Sequence, residues 1–357
     1  MPLSKRLQKL FGKRASPSSE RVQSSPYSAS DTSFSKETKA LRDDNKPEDA
    51  HPNQTLASHI QSDFVKRNSN RILDLKLVHQ PAASNNTDVD IIFVHGLTGN
   101  AVNTWLHQRS GTYLPELLGQ DIDNTRIFTF GYDADVASFW GGTSQNRLTN
   151  HAEKLLGCLA AERPDSVNEK RKILFVTHSL GGLVVKRAMQ MSKSSAEAYI
   201  RNIESSTAAI AFLGTPHSGS DFAPFAKSVS RVLSLTGKRV NVNILDTLKR
   251  DSQVLLDLED WFGHWLRRRS QDGSPIELTC FIEELELPIV GRVVEEHQAK
   301  ISGYSSFGIH ANHMDMTKFE GEQDPGYKLV RAQITRWVGQ IQSQGTTHPA
   351  NTTSSMT

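Results

Sequence analysis

The chain has little cysteine, little excess charge and no long apolar run. Two cysteines among 357 residues, Cys158 and Cys280, exclude a disulfide framework or a zinc site of several thiolates and favour a reducing, intracellular location. The 41 basic and 39 acidic side chains leave a net charge of +2, which gives no global attraction to nucleic acid or membranes. No stretch approaches the roughly 20 apolar residues of a membrane span, and the apolar core of a secretory signal is missing.

Both ends of the chain lack a sustained apolar period. The leader is rich in Ser, Lys, Asp, Asn and Pro, a composition that cannot bury enough surface to offset chain entropy. We therefore expect a disordered basic, Ser-rich leader over residues 1–70 and a disordered tail over residues 346–357. Residues 71–345 between them are long enough to form a domain with a sizeable core.

The first 16 residues, Met1–Ser16, differ from the rest of the leader. Apolar side chains fall on one helical face, and basic side chains surround them without any acid. Two interpretations stay open: a short solvated basic tail, or a transit peptide or membrane-surface helix that gives peripheral membrane contact. We expect an intracellular, cytoplasmic protein that is not secreted, with the mitochondrion or a membrane surface as alternatives. The apolar side chains are Leu3, Leu7, Leu10 and Phe11.

Between the two ends, short apolar strands alternate with helical patterns. This alternation predicts an α/β domain with a mostly parallel sheet and helices on both faces. The segment 221–270 breaks the alternation and predicts two or three helices, a lid-like insertion over a site. The predicted strands are 72–79, 90–94, 126–132, 172–176, 207–213 and 277–282, and the predicted helices are 148–161, 181–191 and 326–341.

A serine stands between a strand and a helix in the segment ILFVTHSLGG, residues 173–182. A strand, a tight turn with a serine, and a helix form the nucleophile elbow of serine hydrolases, and small residues must flank the serine. Gly181 and Gly182 meet this need after Ser179, whereas Thr177 stands where a glycine is usual. The alternative is an ordinary loop in which Ser179 caps the helix.

A second glycine-containing loop follows an earlier strand in FVHGLTGN, residues 93–100. In an elbow-bearing fold, an oxyanion hole takes one backbone N–H from this loop and one from the residue after the nucleophile. Leu97 and Leu180 hold those positions, and Gly96 lets the backbone approach. The alternative is a glycine-rich turn that binds no ligand.

A general base is expected on the loop before the closing helix, and an acid after the preceding strand. The segment GIHANHMDMTKF offers His310 and His313, which position alone does not separate. His217 comes too early in the chain and is a candidate to line the pocket instead. Glu283 is the first residue past an apolar run, which makes it the preferred acid. Other acids that stay open are Glu284, Glu286, Asp221, Glu295 and Glu296.

Six motifs together resemble the serine-esterase-like α/β-hydrolases, in particular the serine active site-containing protein family and the intracellular hydrolases of the GPI inositol-deacylase and lipase type. The motifs are FVHGLTGN, GYD, THSLGG, FLGTPHSGS, CFIEE and HANHMDMTKF, and they extend from Asp90 to Phe319. The resemblance implies an α/β-hydrolase fold, and the insertion predicted from the broken alternation would follow the strand 207–213, taken as the sixth strand of that fold. It also implies Ser179 as nucleophile, His313 rather than His310 as base, and Glu283 as acid.

The implied function is a serine hydrolase that cleaves a carboxylic ester, with a lipid-like small molecule as substrate. Neither a metal nor an organic cofactor is expected, and no nucleic acid partner. An acyltransferase on the same fold is the first alternative, and a non-catalytic lipid-binding or interaction protein is the second. The residues expected to line the pocket are His95, Gly96, His178, Gly181 and His217.

Overall fold

The computed structural model describes residues 73–81, 88–97, 99–134, 144–164, 171–217, 222–235 and 244–345. The predicted leader and tail, and with them the Met1–Ser16 segment, lie outside the described residues. No helix within these ranges is both long and apolar enough to cross a membrane.

A seven-stranded sheet forms the centre of the described domain. Its strand order is β1-β5-β2-β6-β7-β8-β9; β1 runs antiparallel to its neighbour, and the other pairs are parallel. A separate antiparallel pair joins β3 to β4. The strands are β1 Leu75–His79, β2 Val89–Val94, β3 Leu106–His107, β4 Thr112–Tyr113, β5 Thr125–Phe130, β6 Lys172–His178, β7 Thr207–Leu213, β8 Glu277–Glu283 and β9 Ser305–Ile309.

Helices cover both faces of the sheet, as the alternating pattern predicts. The apolar core on one face of the sheet includes residues of α2, α3, α4, α5 and α6, and the core on the other face includes residues of α1 and α7. The helices of the described ranges are α1 Leu114–Asp121, α2 Ser144–Ala161, α3 Gly181–Ser194, α4 Ala198–Ser206, α5 Phe222–Leu235, α6 Ile244–Gln271 and α7 Pro325–Gly345.

The central strands β2 and β6 are buried on both sides, which explains their nearly continuous apolar sequences. The charged exception in β2 is Asp90, which is 1% exposed. Its carboxylate accepts hydrogen bonds from Arg126 at 2.8 Å and from Arg163 at 2.6 Å. These two guanidinium groups satisfy a charge that would otherwise be costly to bury.

The observed elements match most of the predicted ones. Five predicted strands begin and end within two residues of β2, β5, β6, β7 and β8. The sixth, predicted over 72–79, ends with β1 at His79, and the predicted closing helix is α7. The region predicted as an insertion contains two helices, α5 and α6, within the described residues. Five observed elements were not predicted: α1, α4, the short strands β3 and β4, and the edge strand β9.

Candidate active site

Ser179 lies in a strained turn between β6 and α3. Its φ of 53° is in the left-handed region, which residues with a side chain seldom adopt. Two contacts hold this conformation: the Ser179 N–H donates to the carbonyl of Leu213 at 2.9 Å, and the Thr215 hydroxyl donates to the Ser179 carbonyl at 2.9 Å. The turn is therefore fixed by the end of β7, and it has the strand–turn–helix form predicted from the sequence.

Glycines allow this turn to pack against the neighbouring loop. A Cβ on Gly96 would lie 2.6 Å from the Cβ of Ser179, and a Cβ on Gly181 would lie 2.4 Å from the carbonyl oxygen of Val94. Thr177, by contrast, is still inside β6, where its hydroxyl donates to the carbonyl of Ala211 at 3.2 Å. The departure from glycine at this position is thus accommodated by a hydrogen bond to the adjacent strand.

His313 and Glu283 form a buried pair at the carboxyl end of the sheet. The His313 Nδ1 lies 2.6 Å from the Glu283 Oε2, and the side chains are 5% and 1% exposed. Glu283 is the last residue of β8, so the strand ends one residue later than the sequence pattern predicts. Its other oxygen accepts backbone N–H bonds from Val293 and Val294 at 2.5 and 3.1 Å. The carboxylate is therefore fixed from two sides.

The neighbouring residues Glu284 and His310 form a parallel but exposed pair. The His310 Nδ1 lies 3.2 Å from the Glu284 Oε2, and the side chains are 80% and 49% exposed. The structure thus brings Glu283 to His313 and Glu284 to His310. Of the other acid candidates, Glu286, Glu295 and Glu296 are exposed, and Asp221 lies outside the described residues.

A second buried histidine, His178, packs against His313. The His178 Nε2–H donates to the backbone carbonyl of His313 at 2.9 Å, and the two rings lie 4.8 Å apart. Burial lowers the pKa of His178 well below its usual 6.5, so the ring is neutral. On the other side, Gly214 has a φ of 58°, and a Cβ there would lie 3.0 Å from the His313 ring. His178 and Gly214 therefore confine the His313 backbone and ring.

The Leu97 loop is held from behind by His95 and Tyr132. The His95 Nδ1–H donates to the Gly96 carbonyl at 2.9 Å, and the Tyr132 hydroxyl donates to the His95 carbonyl at 2.7 Å. Burial lowers the pKa of His95 to about 4, and its ring stacks on that of Tyr132. Within the described residues, no acceptor takes the backbone N–H of Leu97 or of Leu180. Both groups can therefore donate to a ligand.

His217 belongs to a buried cluster that the sequence analysis missed. Lys186 is fully buried in α3, and its ammonium donates to Glu259 at 2.6 Å and to the His217 Nδ1 at 2.8 Å. The His217 Nε2 faces the Cys280 Sγ at 3.7 Å. A lysine inside the apolar run of α3 is the one sequence signal that points to this cluster. His217 as a pocket-lining residue stays a prediction.

The strand order and the strained serine after β6 define the class of the protein: its fold is that of the α/β-hydrolases. Residues 84–260 match the family described as "Putative serine esterase (DUF676)". The resemblance to serine-esterase-like α/β-hydrolases is thereby confirmed, and the prediction of an ester-hydrolysing enzyme agrees with this match.

Two relatives carry the same protein name. The chain is 25% identical over 252 residues to Protein SERAC1 of Bos taurus and 23% identical over 303 residues to Protein SERAC1 of Mus musculus. The alignments cover 64% and 78% of this chain but only 36% and 43% of the relatives. Among solved structures, the mature lipase BlEst2 of Bacillus licheniformis has a TM-score of 0.43 and 15% identity, covering 68% of this chain and 92% of that one.

Proposed function

We propose that the protein is a serine hydrolase that cleaves carboxylic esters, with Ser179 as nucleophile, His313 as general base and Glu283 as the acid that orients the base. The observation that carries the proposal is the buried hydrogen bond between His313 and Glu283 at 2.6 Å, in a fold whose strained elbow presents a serine. The match of residues 84–260 to a serine esterase family supports the same reaction class.

In the proposed mechanism, the Ser179 Oγ attacks the ester carbonyl carbon while the His313 Nε2 accepts the hydroxyl proton. The tetrahedral intermediate collapses, the bond to the alcohol oxygen breaks, and His313 returns the proton to the departing alcohol. Water then attacks the acyl-enzyme, with His313 again taking and returning a proton. Glu283 keeps the proton of the neutral imidazole on Nδ1 and stabilises the imidazolium that forms in each half-reaction.

The oxyanion of each intermediate would be held by the backbone N–H groups of Leu97 and Leu180. Such donors contribute most when they are fixed before the reaction, because no reorganisation is then needed. The hydrogen bonds of His95 to Gly96 and of Tyr132 to His95 supply that rigidity for the first donor. The second donor, Leu180, stands at the start of α3, where its backbone is helical.

The insertion at residues 221–270 is proposed to act as a lid and to select a lipid-like ester. In support of this role, α5 contacts the segment that holds the acid. The Ser228 hydroxyl donates to the Arg292 carbonyl at 3.3 Å, and Arg231 donates to the Val290 carbonyl at 3.4 Å. The next residues of this segment, Val293 and Val294, supply the N–H groups that bind Glu283. Peripheral membrane contact through Met1–Ser16 stays a prediction.

Hydrolysis of p-nitrophenyl esters of increasing acyl length by the full chain tests the proposal. The Ser179→Ala variant should lose on the order of 10⁶ in kcat, as expected when the nucleophile of a triad is removed. His313→Ala should lose activity to a similar degree, whereas the matched variant His310→Ala should keep it, because its imidazole is exposed. Turnover by Ser179→Ala equal to that of the wild type would refute the mechanism.

A further inference from the structure

A groove far from Ser179 is lined by cations and two tryptophans. It has a volume of about 390 Å³ and lies between the end of α3 and the last three turns of α6. Lys193, on α3, is 12 residues after Gly181, so the groove begins about 18 Å along the helix from the elbow. We call it the Trp261 groove; its lining includes Lys193, Trp261, His264, Trp265, Arg267 and Arg268.

The aromatic wall of the Trp261 groove is rigid. Trp261 and Trp265 are one turn apart on α6, and their rings stack at 5.8 Å with an interplanar angle of 13°. The Trp265 Nε1–H donates to the buried Glu204 carboxylate at 2.6 Å, which fixes the inner ring. Trp261 is only half-buried and leaves part of its ring accessible. A flat or apolar group can therefore pack beside it without any rearrangement of the wall.

Positive charge in the Trp261 groove exceeds negative charge. The buried carboxylate of Glu204 pairs with Arg269 at 3.1 Å and with Lys193 at 3.4 Å. Arg267 and Arg268 have no carboxylate within ion-pair distance in the part of the chain that the structure describes. None of the described residues that line the groove is acidic. Two guanidinium groups and an ammonium group thus line one cavity. Of these three, only the ammonium of Lys193 pairs with a carboxylate of the described residues, that of Glu204, which also pairs with Arg269.

We infer that the Trp261 groove binds a phosphate ester, with the phosphate between Lys193, Arg267 and Arg268 and its organic part against Trp261. Guanidinium forks match phosphate oxygens in a bidentate geometry, and three cations suit a doubly charged anion better than a carboxylate. The cavity is larger than a phosphate ion alone, which leaves room for the esterified group. This chemistry is shared by soluble phosphate esters and by phospholipid headgroups.

A purely structural role for the same cations makes a different prediction. Lys193 and Arg268 lie in the last turns of α3 and α6, where a positive charge stabilises the helix end. If that is their only role, replacing the two arginines lowers the melting temperature and no phosphate compound binds the groove. Binding measurements therefore separate the two accounts.

Calorimetric titration of the full chain with phenyl phosphate and with inorganic phosphate tests the inference. The double variant Arg267→Gln/Arg268→Gln should bind phenyl phosphate about tenfold more weakly or worse, because charge-assisted hydrogen bonds are lost. The matched control Lys328→Gln/Arg336→Gln removes two positive charges from α7, on the opposite face of the sheet, and should bind as the wild type does. Trp261→Ala should remove the preference for phenyl phosphate over inorganic phosphate.

A sedimentation experiment with phosphatidylcholine vesicles, with and without phosphatidic acid, distinguishes the two sources. Binding of phenyl phosphate in solution supports a soluble ligand, and binding only to vesicles with phosphatidic acid supports a lipid headgroup, provided that Arg267→Gln/Arg268→Gln abolishes it. Absence of both kinds of binding, or equal loss in the control variant, would overturn the inference. The variants Ser179→Ala and His313→Ala, which should lose ester hydrolysis, should bind phenyl phosphate as the wild type does, so a failure here is distinct from a failure of the proposed function.

Discussion

At the scale of single residues, two adjacent glutamates at the end of β8 have opposite surroundings. Successive residues of a strand point to opposite sides of the sheet, so Glu283 and Glu284 cannot face the same histidine. Glu283 is buried against His313 and receives two backbone N–H bonds, while Glu284 and its partner His310 are exposed. The chain thus contains its own control for the proposed acid.

The variants Glu283→Gln and Glu284→Gln use this control. The first should lower kcat on the order of 10⁴, because an amide cannot keep the proton of His313 on the required nitrogen or stabilise the imidazolium. The second should lower kcat by less than about tenfold, as expected for an exposed pair that lies away from His313. Steady-state kinetics and circular dichroism of both variants provide the measurement. A larger loss for Glu284→Gln would contradict the assignment of the acid.

Position along the chain did not separate His310 from His313; the family resemblance favoured His313, and the structure shows the difference in surroundings. Position alone fails to separate the two histidines because β9, the strand that precedes both of them, was not predicted. Its first four residues, Ser305–Gly308, alternate between exposed and half-buried, and only Ile309 is buried, so the sequence carries no apolar run there. Without the strand, the direction of the following side chains cannot be derived.

At the scale of elements, the start of α3 is packed so closely that a methyl group matters. A Cβ on Gly181 would lie 2.4 and 2.5 Å from the backbone carbonyls of Val94 and His95. Gly339, in the interior of α7, is exposed and has no atom within 4 Å of the same position. The two helical glycines thus occupy sites with opposite steric requirements.

Alanine at these two glycines should therefore change stability in opposite directions. Gly339→Ala should raise the free energy of unfolding by about 0.5–1 kcal/mol, because alanine loses less conformational entropy in a helix. Gly181→Ala should lower it by about 1–3 kcal/mol, because the carbonyls of β2 must shift. Urea unfolding followed by circular dichroism measures both values. An unchanged stability and activity in Gly181→Ala would contradict the packing of the elbow.

The buried strands were the easiest elements to predict, since their apolar runs are bounded by polar residues. The helix α1 was missed because it has only 8 residues and contains both Pro115 and Gly119. Glycine is a poor helix former, and proline is tolerated only in the first turn, where Pro115 lies. The buried cluster of Lys186 and Glu259 was missed for a different reason. Charged residues on helices are usually solvated, and only tertiary contacts between α3 and α6 show that this pair is buried.

At the scale of the whole molecule, three buried histidines make stability depend on pH. Burial lowers the pKa of His95 to about 4 and those of His178 and His217 well below 6.5. The unfolded chain binds protons at these positions below about pH 6.5, whereas the folded chain does not. Each histidine therefore reduces the free energy of unfolding as the pH falls through 6.5 towards its folded pKa. Glu116 has the opposite effect. Burial raises its pKa to about 7, so its contribution increases the free energy of unfolding as the pH falls from about 7 towards the lower pKa of the unfolded chain.

The variant His217→Gln isolates one of these contributions. A glutamine carbonyl can still accept the hydrogen bond of Lys186, but it does not titrate. Below about pH 6, the free energy of unfolding of the wild type should fall more steeply than that of the variant, by about 1.4 kcal/mol per pH unit. Urea unfolding at a series of pH values gives both slopes. His310→Gln, at an exposed position, is the control, and equal slopes for wild type and His217→Gln would contradict the neutral buried state.

The central claim is that Ser179 is an activated nucleophile. Reaction of the full chain with a fluorophosphonate probe, followed by peptide mass spectrometry, tests it most directly, because the probe forms a bond only with a serine that a base activates. The account predicts one modified peptide, with the phosphonyl group on Ser179, and strongly reduced labelling in His313→Ala but not in His310→Ala. Labelling at another serine, or none on the folded protein, would contradict the account.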